Sequence, residues 1–143
     1  MSAPDCVACT WVAEGDADGR WVYSDDLYAV CVPPAAEVPG WLMVILRRHA
    51  PPLTSELTAE EARALGPTLK RMCAAIEQVV AAERVYNVQW GEFIPHWTML
   101  LAARTADIPP EQRHVEMIAN RASLVDAEGA ARVADGIRKE LAS

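Results

Sequence analysis

Long apolar runs are missing from this 143-residue chain. None approaches the roughly 20 residues that a bilayer-spanning helix needs, so no membrane partner is expected. Basic residues are outnumbered, 13 Lys and Arg against 20 Asp and Glu. The net charge of -7 argues against nucleic acid as a partner, because a phosphate surface needs a basic face. No basic segment followed by an apolar one opens the chain, so no signal peptide is read and a cytoplasmic setting is expected. In that compartment the four cysteines serve as thiols or metal ligands and not as disulfides. Internal repeats, low-complexity tracts and domain boundaries are also missing. Histidine is scarce, with only His49, His96 and His114.

What is present suits one domain spanning residues 1–143. Hydrophobic content of 52% and charged content of 23% are those of a globular chain with a real core. Residues 21–23 and 27–32 read as a hairpin around Ser24-Asp25-Asp26. The continuous apolar run at 41–46 predicts a central strand buried on both faces. Thr58 and Glu61 form a capping box that opens a helix to about residue 82, with Leu65, Leu69, Met72, Ile76 and Val80 on one face. Gly66-Pro67 predicts a kink or break within it. Residues 112–119 suit a short helix. Asp126 caps a last one, with Val133, Ile137 and Leu141 in a stripe. The expected fold class is α+β, an antiparallel sheet of about five strands packed by the long helix and the C-terminal helix.

The chemistry gathers at 84–104, which reads as two strands around Gly91. On the second strand His96, Thr98 and Leu100 line one face, and Trp97, Met99 and Leu101 the other. Cys6 and Cys9, three positions apart, can reach one metal through a tight turn. With His49 and His96 they make a Cys2His2 set, for which thiolate sulfur at about 2.3 Å and imidazole nitrogen at about 2.0–2.1 Å would complete a tetrahedral zinc site. Four protein ligands leave no open position, which favours a structural ion. The residues alone leave a second reading open: free thiols near the N-terminus, with His96 a hydrogen-bonded core histidine.

The segment resembles the signature of the histidine-triad (HIT) superfamily, a tyrosine-bearing strand, a Gly turn, then Pro-His-x-His-x-His-x-x-Pro-Arg. The matching residues are Tyr86, Gly91, Pro95-His96, Thr98, Leu100, Ala103 and Arg104. Cys6 and Cys9, Pro39-Gly40, Arg47-Arg48-His49 and Leu57 to Glu61 extend the likeness to the zinc-bearing branch across nearly the whole chain. The resemblance implies zinc on Cys6, Cys9, His49 and His96, and a homodimer through the long helix and the strand before the motif.

The triad itself departs from the pattern. The family's nucleophilic middle histidine falls at Thr98 and the third at Leu100, while the acidic residue that holds the ribose falls at Pro33. Threonine is a poor nucleophile without a paired base. The resemblance therefore implies no catalytic nucleophile and no ordinary nucleotide hydrolase or transferase activity. Candidate ligand-binding or acid–base residues are Arg104, His114, Glu92 and Trp90, with Asp107 flanking the same strand. Cys31 and Cys73 lie in apolar contexts and read as buried thiols. Three classes follow: a scaffold repurposed for a non-nucleotide small molecule, as in specialised metabolism; a non-catalytic nucleotide-binding pseudoenzyme; or a dimeric interaction protein. The first is favoured, because the changed positions share one row of the pocket while the zinc set is intact.

Overall fold

The computed structural model describes residues 3, 5–34 and 36–143. Its strands are β1 (Trp21–Ser24), β2 (Tyr28–Cys31), β3 (Leu42–Leu46), β4 (Arg84–Val88) and β5 (Thr98–Arg104). They form one antiparallel sheet in the order β1-β2-β3-β5-β4, so the apolar run at β3 lies at the centre. Helices α1 (Val7–Glu14), α2 (Ala59–Val80), α3 (Val115–Ala119) and α4 (Ala127–Ala142) complete the α+β fold. Among the described residues, no helix is long and apolar enough to cross a membrane.

Asp25 builds the β1–β2 turn by accepting from the amides of Leu27 and Tyr28, each at 2.8 Å. A carboxylate that replaces two strand hydrogen bonds is what allows so tight a reversal. The register then pairs Tyr28 with Leu46, Val44 with Met99 and Leu42 with Leu101, which puts these side chains on one face. Against that back face lie Met72 and Ile76 of α2 and Ile137 of α4, all fully buried. The front face carries Met43, Ile45, Thr98 and Leu100 in register across β3 and β5. There a smaller cluster of Cys6, Ala8, Cys9, Cys31 and Ile45 sits under α1.

The capping box at α2 is complete: Glu61 N–H donates to Thr58 Oγ1 at 3.1 Å, and Thr58 N–H to Glu61 Oε1 at 2.8 Å. Asp126 caps α4 through the Gly129 amide at 3.0 Å. Four expectations need correction. The helix runs unbroken through Gly66-Pro67. Both residues and Arg63, whose carbonyl loses its donor at Pro67, are exposed, so water can replace the missing bond. Gly91 is not a tight turn: β4 and β5 are joined by residues 89–97, and a Cβ at Gly91 (φ 73°) would lie 3.0 Å from the Pro52 carbonyl. The cysteine pair lies at a helix start, where Cys6 Sγ caps α1 by accepting from the Cys9 amide at 3.4 Å. The expected helix at 112–119 is split, because His114 at φ 62° separates a 3-10 turn (Pro110–Gln112) from α3.

Candidate metal centre and adjoining pocket

Three parts of the chain bring the candidate metal-ligating set together. Cys6 and Cys9 come from the start of α1, His49 from the segment leaving β3, and His96 from the residues entering β5. Cys6 Sγ lies 3.3 Å from His96 Nδ1, Cys9 Sγ lies 3.2 Å from His49 Nδ1, and the two Nδ1 atoms are 3.2 Å apart. Donors about 2.0–2.3 Å from a common centre at tetrahedral angles stand roughly 3.3–3.8 Å from one another. The four donor atoms lie within 4.8 Å of each other, so the hole between them is the size of one tetrahedral cation.

The protonation pattern points the same way. His96 Nε2 donates to the Leu46 carbonyl at 2.6 Å, which fixes the proton on Nε2 and turns a bare Nδ1 lone pair into the cluster. Burial lowers the His96 pKa and so favours the neutral ring that a metal needs. The same burial pushes the Cys6 thiol up, so a thiolate there needs a cation beside it. Two soft sulfurs and two imidazoles form a donor set suited to zinc.

Beside this cluster, a cavity of about 290 Å³ opens in front of β5. Thr98, Leu100 and Met43 lie along its base, and Trp11, Trp90, Phe93 and Ile94 form much of its wall. Pro33 also reaches it, as do Gln89 and Arg121. Among the described residues, no histidine and no carboxylate lines it. Glu92, Arg104 and His114 are therefore not brought to this cavity.

Arg104 is buried at the far end of β5 and donates to Glu83, although its Nε has no partner. His114 is exposed and stacks on Tyr86, with ring centroids 6.3 Å apart. Glu92 is exposed in the loop before β5, and Asp107 accepts from the Thr105 hydroxyl. Cys31 is a buried thiol, pushed up to about 12 by burial, and Cys73 is half-buried and also raised by burial. Sequence reasoning missed Trp11, because α1 was not expected, and Arg121, which has no place in the motif.

No family model and no curated protein matches this sequence. Solved structures do. A hypothetical histidine triad nucleotide-binding protein from Sulfolobus tokodaii superposes with a TM-score of 0.74 at 17% identity, covering 96% of this chain and 92% of that one. A Hit-like protein involved in cell-cycle regulation from Bartonella henselae gives 0.74 at 14% identity, covering 98% and 99%. A Zn-bound histidine triad family protein from Mycobacterium smegmatis gives 0.68 at 19% identity, covering 96% and 94%. This chain has the histidine-triad fold. On that HIT fold, the four-residue cluster is a candidate zinc site. Thr98 and Leu100 both face the cavity.

Proposed function

We propose that this HIT-fold protein holds a structural zinc ion on Cys6, Cys9, His49 and His96 and has exchanged nucleotidyl chemistry for work on a non-nucleotide small molecule. One observation carries the reading. The cavity in front of β5 has a hydroxyl and an isobutyl group where phosphate chemistry would need imidazoles, and its wall is aromatic. Phosphoryl transfer runs on positioned charge. A cavity lined, among the described residues, by no histidine and a single arginine offers little of it. The zinc, with all four positions filled by protein, supplies cross-linking of α1 to the sheet and no reacting site.

Two further parts of the reading have physical support. All four cysteines are free, in keeping with a reducing cytoplasm. Among the described residues the outer edge of β4 has no strand partner, and half-buried Cys73 of α2 lies beside it, accepting from the Asn87 side-chain amide, which suits a homodimer through these two elements.

The test is a hydrolysis and binding screen with nucleoside phosphoramidates, dinucleotides and mononucleotides on metal-quantified protein, beside a Thr98→His, Leu100→His variant. The native protein is expected to release no nucleoside monophosphate above the buffer rate. Substantial native hydrolysis would sink the proposal and require another nucleophile. Tight nucleotide binding without turnover would favour the pseudoenzyme reading. Binding of neither nucleotides nor small molecules would favour the interaction protein.

A further inference from the structure

We propose that the cavity in front of β5 binds a flat, apolar molecule carrying a single negative charge, an aromatic carboxylate in its simplest form, with Arg121 holding the carboxylate. This rests on the reading above that the pocket serves a non-nucleotide small molecule, and it adds the chemical class.

Size sets the first limit. A volume of about 290 Å³ stands at the small end of ligand cavities, which run roughly 300–1,000 Å³. A bicyclic ring system suits that space better than a dinucleotide does. The wall sets the second. Trp90 is 52% exposed and Phe93 83% exposed, although both line the cavity, and Trp11 faces them from α1. Large aromatic surface left wet around a concavity gains most by covering a planar apolar face, through burial and offset stacking.

Charge sets the third. Among the described residues, Arg121 is the one charged residue lining the cavity, in a chain whose net charge is -7. Its Nη1 donates to the Ile118 carbonyl at 3.1 Å, which ties the guanidinium to the cavity wall. Among the described residues it pairs with no carboxylate, so its remaining N–H groups are open to a bidentate anion. The Gln89 amide is already committed, accepting from the Thr54 hydroxyl at 2.8 Å and donating to the Thr98 carbonyl at 3.1 Å. That leaves the Arg121 guanidinium as the charged group of the lining, with the Thr98 hydroxyl, the second Gln89 N–H and the indole N–H groups of Trp11 and Trp90 as its neutral polar side-chain groups. One cation balances one negative charge. A phosphate dianion or a diphosphate would keep excess charge against apolar wall, which is costly.

The experiment is isothermal titration of the metal-quantified full chain with 2-naphthoate, its methyl ester and AMP, repeated on Arg121→Gln, Arg121→Lys and Trp90→Ala. The acid should bind about tenfold or more tighter than the ester, the size of a charge-assisted hydrogen bond, and AMP should bind more weakly than the acid. Arg121→Gln, on an exposed 3-10 turn, should bring the acid down to the ester's affinity, Arg121→Lys should keep part of the preference, and Trp90→Ala should weaken acid and ester alike. Equal affinity of acid and ester, an unchanged ratio in Arg121→Gln, or no binding of any probe would overturn the inference. Ester binding without preference would leave the non-nucleotide reading standing. Tighter binding of AMP than of 2-naphthoate would remove both.

Discussion

His96 shows how one side chain can carry several constraints at once. It is fully buried, its Nε2 proton is committed to the Leu46 carbonyl, and its Nδ1 meets Cys6, Cys9 and His49 within 3.5 Å. With the proton on Nε2, Nδ1 can only accept, either a thiol or imidazole proton from this cluster or a cation shared with the second imidazole. Removing one ligand should therefore act on the fold. Cys9→Ser is expected to lower zinc content to near zero and to lower Tm by on the order of 10 °C, if the lost cross-link contributes about 3 kcal/mol at roughly 2–4 °C per kcal/mol. Metal analysis and calorimetry on the same samples check this. Unchanged values in both would remove the structural ion. The grouping of Cys6, Cys9, His49 and His96, which the structure brings together, was readable because Cys-x-x-Cys is a local pattern and the histidine-triad resemblance singled out the two histidines. Arg121 was not legible: its position on the cavity wall depends on the loop path after β5, which no local pattern encodes.

Among the elements, α2 is anchored at its start by more than its cap. Glu61 is buried, and its carboxylate accepts from the Thr58 amide and from Arg48 Nε and Nη2 at 3.0 and 2.9 Å. Tyr28 OH donates to the Glu61 carbonyl at 2.7 Å and so ties the same turn to β2. The Arg48 fork holds the Glu61 carboxyl below its usual range, against the burial that opposes charge. A depressed carboxylate pKa stabilises the fold fully above the unfolded value and loses that contribution as pH falls through the folded one. Thr58→Ala is expected to cost about 1 kcal/mol. Glu61→Ala should cost roughly 2–3 kcal/mol at neutral pH, because the cap and the charged hydrogen bonds go together. Urea unfolding at pH 7 and at pH values below the usual glutamate range should show the Glu61→Ala deficit shrinking in acid. A deficit that stays constant or grows there would contradict the charge pairing.

The elements also show where sequence reasoning reached its limit. The α2 capping box, the Asp126 cap and the β3 run announce themselves through a few adjacent residues, and they were found. Helix α1 buries only Ala8 and Cys9 of its eight residues, so its hydrophobic periodicity is weak and it read as a turn. Gly66-Pro67 looked like a break because the pair carries a local penalty. Placement on the solvent side of α2, a tertiary fact, is what makes that penalty tolerable.

At the scale of the molecule, the metal cluster and the cavity are mechanically one unit. The candidate ion joins α1, the exit from β3 and the entry to β5, while the cavity takes Trp11 from α1 and Thr98 and Leu100 from β5. Helix α2 and the central strands rest on an extensive apolar core on the back face, but α1 has little apolar burial of its own. Stripping the metal with a strong chelator should therefore release α1 first and leave the back of the sheet in place. Amide hydrogen exchange measured before and after chelation should show residues 7–14 losing protection by on the order of a hundredfold or more, while β3 and the middle of α2 change far less. The released Trp11 wall should also weaken small-molecule binding without altering the Arg121-dependent preference for an anion. Uniform loss of protection across the sheet would mean that the ion supports the whole fold and not the pocket wall. Unaltered protection in α1 would mean that its packing alone holds it, and the link between the cluster and the cavity would fail.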